Sequence, residues 1–429
     1  MSRSTVCAAL IAAASLASGL ASAQVADDQL DPSALLNYSP HALGASEFAA
    51  AGGSGVLGKH TRSGLLGIDS IPNFSSYFYR NDSPLLYSTY DQFTWPYTMV
   101  GNAPKGSGDD DDEGRTTWIG APVVPVTVEL LNFDGTPRFV NGHPMISTST
   151  QYVNPVLNSP VFAAAHYSSS NIATQFTDAV HRAQFFNMSD REWHTLLRAR
   201  ATAPRSIKLI RGNYSFSVNP DGTCCRFILV DINAFTAALF PATAGDSTSP
   251  VGFAETTGLI RQNDISTFLF NNVFLYFGTT ANCCVVGFHT YDGQPGNQAN
   301  GFKEKRFVLT YASWVSPGVF RDPTFADVAA LSHEMMETFS DPFVNNATPY
   351  WLSPSGLCQN NLESADVIEG LANPNSAIST NGVIYHVQNE ALLQWFAGRN
   401  PSNAIGGAYS YPNTSLLTSS AAVHGVNCP

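Results

Sequence analysis

Residues 325–342, FADVAALSHEMMETFSDP, constrain the fold of this chain more than any other stretch. Their spacing predicts one amphipathic helix, closed by Pro342. His333 and Glu337 are four residues apart, so they share one face of that helix, one turn apart. Glu334 is rotated from His333 by about 100° around the axis. The helix therefore carries a histidine and two glutamates close together beside an apolar face.

This pattern resembles the zinc-hydrolase signature H-E-x-x-H, with a glutamate in place of the second histidine. In that signature the side chains at i and i+4 hold the metal, and the glutamate between them acts as general base on water. Zinc accepts carboxylate oxygen as well as imidazole nitrogen. We therefore predict His333 and Glu337 as zinc ligands and Glu334 as the catalytic base. The alternative interpretation is an ion pair between His333 and Glu337 on an exposed helix face.

The third zinc ligand must come from another element, because a catalytic zinc site uses three protein ligands and an open position. Residues 361–369, NLESADVIE, place three carboxylates shortly after the predicted helix. Glu363 is the first candidate and Asp366 the second. Either could instead orient the ring of His333 as an outer partner. A carboxylate-rich set also suits harder ions such as Mn²⁺ or Ca²⁺.

Other residues with suitable chemistry lie on predicted strands. His386 could be a ligand or could stabilise an oxyanion, although a histidine between apolar residues is more often buried structure. His289 and Tyr291 could line a cleft at the end of a strand. Tyr350 and Trp351 are candidates for the wall of a substrate pocket.

The chain before the motif alternates strand-like and helical patterns. Two helices are predicted, at residues 172–186 and 190–200, and His181 on the first is interpreted as a structural or surface residue. The strand-like runs are residues 123–133, 206–211, 226–232, 273–277, 283–289 and 307–313. Several strands followed by a metal-site helix predict an α+β fold of the zincin-like type, in which a mixed sheet packs on an active-site helix.

The N-terminus has the pattern of a secretory signal peptide. Arg3 precedes the apolar run 6–20, and an A-x-A cleavage site ends at residue 23. A membrane anchor is the alternative, but the run is shorter than the roughly 20 residues that span a bilayer. We expect residues 1–23 to be removed, so that the protein is secreted or periplasmic. Residues 24–66 are predicted to be a flexible leader or propeptide, and residues 67–429 a single domain with a β-rich N-terminal extension.

Composition limits the partners. A hydrophobic fraction of 44% supports a sizeable core. The net charge of −12 argues against nucleic acid or an anionic membrane surface as a partner. The acidic run in residues 106–114 lacks the D-x-D-x-D-G spacing of a calcium loop, so we interpret it as a solvated loop.

The cysteines predict disulfides, since an exported chain with an even number of them usually forms bridges. Six remain after the signal peptide: Cys224, Cys225, Cys283, Cys284, Cys358 and Cys428. We expect the two adjacent pairs to cross-link neighbouring strands, and a bridge between Cys358 and Cys428 to tie down the C-terminus. A cysteine metal cluster is disfavoured, because adjacent cysteines lack the C-x-x-C spacing of zinc sites.

The motif region also resembles the plant phosphate-induced, EXORDIUM-like family of secreted proteins, and exported bacterial proteins with an S-H-E-x-x-E-x-x-x-D-P segment. The matching residues are His333, Glu334, Glu337, Asp341, Pro342, Glu363, Ala365 and Asp366. The resemblance covers residues 280–370 and departs after Asp366, where the plant family has a cysteine and this chain does not. It implies an exported, metallopeptidase-like domain.

Together these patterns predict a secreted zinc-dependent hydrolase, specifically a metallopeptidase acting on a protein or peptide substrate. Its ligands would be His333, Glu337 and either Glu363 or Asp366. The alternative function is a non-catalytic extracellular protein that binds glycans or cell-wall partners and has a structural or degenerate metal site.

Overall fold

The computed structural model of the chain describes residues 28–43, 67–79, 94–105, 114–167 and 172–421. The predicted signal peptide, residues 44–66 of the predicted leader and nearly all of the acidic run lie outside these residues. The described part is a mixed α+β structure, which confirms the predicted fold class at that level. Its strands are β1 (Ile68–Asp69), β2 (Asn73–Tyr79), β3 (Thr94–Val100), β4 (Thr117–Leu131), β5 (Phe139–Val140), β6 (His143–Pro144), β7 (Ile146–Thr148), β8 (Thr195–Ala201), β9 (Arg205–Ile210), β10 (Tyr214–Val218), β11 (Cys224–Asp231), β12 (Ile265–Asn271), β13 (Val273–Tyr276), β14 (Cys283–Val285), β15 (Gly287–Gln294), β16 (Glu304–Trp314), β17 (Ala347–Leu352), β18 (Cys358–Asn361), β19 (Asn375–Thr380), β20 (Val383–Gln388), β21 (Glu390–Ala391) and β22 (Ser410–Tyr411).

The helices of the described part are short, apart from the one that carries the motif. They are α1 (Val153–Leu157), α2 (Phe176–Gln184), α3 (Ile232–Leu239), α4 (Pro250–Thr256), α5 (Ala329–Ser340), α6 (Asp366–Glu369) and α7 (Leu393–Phe396). None of these helices has the length and apolar character needed to cross a bilayer.

Eight strands form a curled mixed sheet built around the long strand β4. β8 runs parallel to the first half of β4 and β9 parallel to its second half. β12 is also parallel to β4, and β16 is parallel to β12. β15 pairs antiparallel with β16 and forms an edge of the described sheet. The site described below lies under this β15–β16 side.

The two faces of the large sheet pack against two separate cores. On β16, Phe307, Leu309 and Tyr311 contact one core, and Val308 and Ala312 contact the other. This alternation follows from the two-residue period of a strand. Because both faces are covered, the strand is a nearly continuous apolar run. Helices α2 and α5 pack into the core on the Val308 side, and α3 and α4 into the opposite core.

A smaller sheet with strand order β10-β11-β13-β14 shares the second core. Residues 28–43 cross this sheet and pair with both of its edges. Gln29 forms a parallel bridge with Phe216 on β10, and His41 forms one with Val285 on β14. The described part of the predicted leader is therefore packed against the rest of the structure.

The motif helix is shorter than predicted. α5 begins at Ala329, because Asp327 has a φ of 47°, which a right-handed helix cannot include. Neither Asp322 nor Thr324 in the preceding loop caps this helix, because the N-cap position is Val328. Asp322 instead accepts hydrogen bonds from the backbone and hydroxyl of Thr324 in a preceding turn.

The predicted helix at residues 190–200 is wrong. Strand β8 occupies most of this stretch and pairs in parallel with β4. Thr195 and Leu197 are buried and alternate with more exposed residues, which is strand periodicity. Pairing with a long neighbouring strand outweighs local helix propensity here.

The predicted cross-links between neighbouring strands do not form among the described residues. The sulfur atoms of Cys224 and Cys225 lie against each other, as do those of Cys283 and Cys284. The two pairs sit on β11 and β14, which are separated by β13. Strands two apart are about 10 Å from one another, beyond the reach of a disulfide. Cys358 has a disulfide bond, and its predicted partner Cys428 lies outside the described residues.

Candidate metal centre

Helix α5 carries the motif inside the protein, and every one of its residues is buried. Its apolar residues, including Leu331 and Met335, pack into the core under the large sheet. Ser332 fixes the helix from the side, because its hydroxyl donates to the Ala329 carbonyl and accepts from the backbone N–H of Gln388. The alternative of an ion pair on an exposed face is wrong, since the exposed fraction of His333 is 1% and that of Glu337 is 0%.

His333 and Glu337 meet as their spacing predicts. The Nε2 atom of His333 lies 3.1 Å from Oε2 of Glu337. The other carboxylate oxygen of Glu337 accepts hydrogen bonds from the backbone N–H groups of Ala365 and Asp366, at 3.1 and 3.3 Å. These bonds fix the carboxylate, so that Oε2 stays directed at the histidine.

His289 on β15 joins the same cluster. Its Nδ1 lies 3.4 Å from Oε2 of Glu334 and 3.6 Å from Oε2 of Glu337, and its Nε2 lies 4.0 Å from Oε2 of Glu363. The sequence suggested His289 only as a residue lining a cleft, and the structure places it among the candidate ligands. Strand alternation could have indicated this position, because Phe288 contacts the core on the opposite face of the sheet.

Both downstream carboxylates reach the site, from opposite sides. Glu363 lies near His289, whereas Oδ1 of Asp366 lies 3.5 Å from Nε2 of His333. The other oxygen of Asp366 accepts from the side chain of Gln359. The two carboxylates that the sequence offered as alternatives therefore face different histidines.

Further acidic groups surround this cluster. Glu390 accepts from the hydroxyl of Ser364 at 2.8 Å, and Glu369 accepts from the backbone N–H of Ala42 at 2.8 Å. Within the described residues, no ion pair links Glu334, Glu337 or Asp366 to a lysine or arginine. The site is thus rich in carboxylates and contains histidine as its basic partner.

The protonation states follow from burial and from charge. Burial lowers the pKa of His289 to about 4, so its ring is neutral near pH 7 and has a free lone pair. Burial also acts against the charge of His333, but the carboxylates of Glu337 and Asp366 hold its pKa well above the usual value. Burial opposes ionisation of Glu337 too, yet His333 lowers its pKa. Burial raises the pKa of Glu334 and of Asp366.

Several buried atoms in the cluster have no hydrogen-bond partner in the described part of the chain. They are His289 Nε2, His333 Nε2, Glu334 Oε1, Glu337 Oε2 and Asp366 Oδ1. Of these, His333 Nε2 still faces Glu337 Oε2 and Asp366 Oδ1 in ion-pair contacts at 3.1 and 3.5 Å. A buried polar atom without a partner costs about 1–3 kcal/mol, so several in one place call for an explanation. A divalent cation would satisfy them together, and histidine with carboxylate is a donor set that zinc accepts.

The spacing of the donors also fits a cation. His289, Glu337 and Glu363 offer one atom each within 4.8 Å of one another, and so do His333, Glu334 and Glu337. Atoms bound to one zinc ion lie up to about 4 Å apart, since each bond is about 2 Å long. Modest side-chain shifts would therefore complete a site, and Glu337 belongs to both groups.

Other candidates from the sequence lie elsewhere. His386 pairs through Nδ1 with Asp327 at 2.7 Å, is partly exposed, and belongs to neither group of candidate ligands found among the described residues. Trp351 packs edge-on against Trp395 and Phe396 in a separate core. His181 is fully buried, in agreement with a structural role.

A cavity of about 430 Å³ reaches the cluster at Asp366. Glu369 and Gln388 line it on the side of the site, and residues 39–42 line it as well. This cavity gives the otherwise buried carboxylates a connection toward the surface.

Comparisons of the chain with protein-family models, with curated proteins and with solved structures give no match.

Proposed function

We propose that this protein is an exported, zinc-dependent hydrolase that cleaves peptide bonds and has a zincin-like core. The observation that supports this most is the convergence of His289, His333, Glu337 and Glu363 in one buried cluster, in which Nε2 of His289 has no hydrogen-bond partner among the described residues. His289 and Glu363 come from elements outside the helix, so the fold assembles the candidate ligands. Three of the four would bind the ion, which leaves a position open for water. In this proposal Asp366 orients His333, and Glu363 is the ligand contributed by the downstream segment.

The bound ion would supply Lewis-acid polarisation of a substrate carbonyl and a lowered pKa for bound water. The chain supplies the proton acceptor. Glu334 lies beside the donor atoms, and its Oε1 has no hydrogen-bond partner in the described structure. Burial raises the pKa of Glu334, and the charge of a bound cation would lower it, so that the ionised carboxylate could take a proton from water and pass it to a leaving amine.

Metal analysis tests this proposal directly. The mature chain, purified without added metal, is expected to contain about one zinc per chain when measured by mass-spectrometric elemental analysis. The His333→Ala variant should lose it, and His386→Ala should keep it, because His386 pairs with Asp327 away from the site. If the chain contains no stoichiometric metal, even after zinc is added at neutral pH, the proposed hydrolase function is refuted.

A second function, a non-catalytic extracellular protein with a structural metal, is favoured by one observation. His289, His333, Glu337 and Glu363 are all at most 2% exposed, and such burial is typical of closed structural sites. The two functions differ at the cavity beside Asp366, which a structural site does not need. Peptide cleavage that is lost when Glu334 is replaced would favour the hydrolase over the non-catalytic protein.

A further inference from the structure

Residues 39–43 lie along the free edge of β14 and the start of β15. The backbone N–H of His41 donates to the Cys284 carbonyl at 2.9 Å, and the His41 carbonyl accepts from Val286 N–H at 2.8 Å. The N–H of Leu43 then donates to the Gly287 carbonyl at 3.0 Å. The segment therefore adds a strand to this edge. Without the segment, the backbone N–H and C=O groups of the edge would be available to pair with another chain.

This edge adjoins the candidate metal centre. Gly287 is so close to Glu334 that a Cβ on it would lie 2.6 Å from Oε1 of that residue. On the other side of the segment, Ala42 N–H donates to Glu369, which lines the cavity with Asp366. An extended chain at this position passes directly beside the proposed base.

We propose that this edge is the binding groove for an extended polypeptide substrate, and that residues 39–43 occupy it as an inhibitor within the same chain. The inference rests on the proposed hydrolase function and specifies its substrate class and its control. The bonds in the groove are main-chain bonds, so any extended peptide can form them. The segment of this chain excludes such a peptide while it is in place.

The preceding residues hold the segment near the groove. Asp28 forms ion pairs with Arg138 and Arg211, at 2.9 and 3.0 Å, and Leu35 is fully buried. Because these ion pairs join Asp28 to residues outside β14 and β15, residues 39–43 can leave the groove while the anchor stays bound. A tethered segment has a high effective concentration, so it competes well against a free substrate.

The test uses Ala42→Pro in the full chain, with Ala42→Gly as the matched control. Proline removes the N–H that Glu369 accepts, whereas glycine keeps it. We expect Ala42→Pro to cleave an unfolded protein substrate about tenfold faster than Ala42→Gly, and to release zinc to a chelator faster. A synthetic peptide of residues 38–44 should slow Ala42→Pro again. Equal cleavage and equal zinc release by both variants would overturn the inference while leaving the hydrolase function intact.

Hydrogen exchange of the unmodified chain covers the case in which Ala42→Pro does not fold. The amides of His41 and Leu43 should exchange much faster than that of Leu30, whose N–H donates to Phe216 in the anchored part. Exchange of all three at one slow rate would show that the segment does not open. If residues 39–43 leave the edge but the protein cleaves no peptide, the proposed hydrolase function is refuted, while the opening of the segment is established.

Discussion

The Nδ1 atom of His289 lies 3.6 Å from Oε2 of Glu337, so an edge strand and the motif helix contribute to one centre. If His289 is a ligand, the His289→Ala variant should bind zinc about 100-fold more weakly or worse, since losing even an outer partner of a ligand typically costs 10–100-fold. Competition with a chromophoric chelator measures this affinity. His386→Ala is the matched control, and unchanged affinity in His289→Ala would exclude the strand from the centre.

Gly287 on β15 packs against the side chain of the proposed base, Glu334. A Cβ there would lie 2.6 Å from Oε1 and 2.7 Å from Cγ of Glu334, so Gly287→Ala must displace that side chain. We expect a loss of about 1–3 kcal/mol in the free energy of unfolding, as for other overpacked sites. Gly293→Ala on the same strand is the control, because its nearest neighbour would lie 3.7 Å away. Urea denaturation compares the two, and equal stabilities would contradict the packing described here.

Glu334→Gln separates catalysis from metal binding. The substitution keeps the shape of the side chain but removes its capacity to accept a proton, so peptide cleavage should fall by about 10²–10⁴-fold. Zinc content should stay at the wild-type value. Glu255→Gln is a suitable control. Partial burial, together with the nearby Asp292, raises the pKa of Glu255 to about 9, so this carboxyl is already neutral near pH 7. Undiminished cleavage by Glu334→Gln would assign the base to another residue.

The contact between His333 and Glu337 could be predicted from the sequence, because i and i+4 geometry is local. The pairing of His333 with Glu337 needs no tertiary information. His289 was harder to assign, since its approach depends on which strand of the sheet lies over the helix. The same limit explains the error at β8, where a stretch with helical propensity pairs with β4.

The prediction that the two adjacent cysteine pairs cross-link neighbouring strands failed for a related reason. Alternation along a strand indicates which face of the sheet a side chain occupies, but it does not indicate which strand lies beside it in the sheet. β13 lies between the two strands that carry the adjacent cysteines, and this order is set by a parallel pairing between β11 and β13. Parallel neighbours are joined by long connections, which leave little trace in a local pattern.

His181 gives a prediction that does not involve the metal centre. It stacks on Trp193 and contacts Phe339, and burial lowers its pKa to about 4 from an ordinary value of 6.5. Between these values the unfolded chain binds a proton and the folded chain does not. The stability due to the neutral ring is therefore complete above pH 6.5 and is lost as the pH falls toward 4. The loss amounts to about 3 kcal/mol at most.

The variant His181→Phe keeps an aromatic ring in this cluster and removes the titration. Urea denaturation of metal-free wild-type and variant proteins at pH 7 and pH 4.5 gives the two free energies of unfolding. The variant should gain on the wild type as the pH falls, because only the wild type takes up this proton on unfolding. A difference that stays constant between the two pH values would mean that the buried ring is already charged in the folded protein.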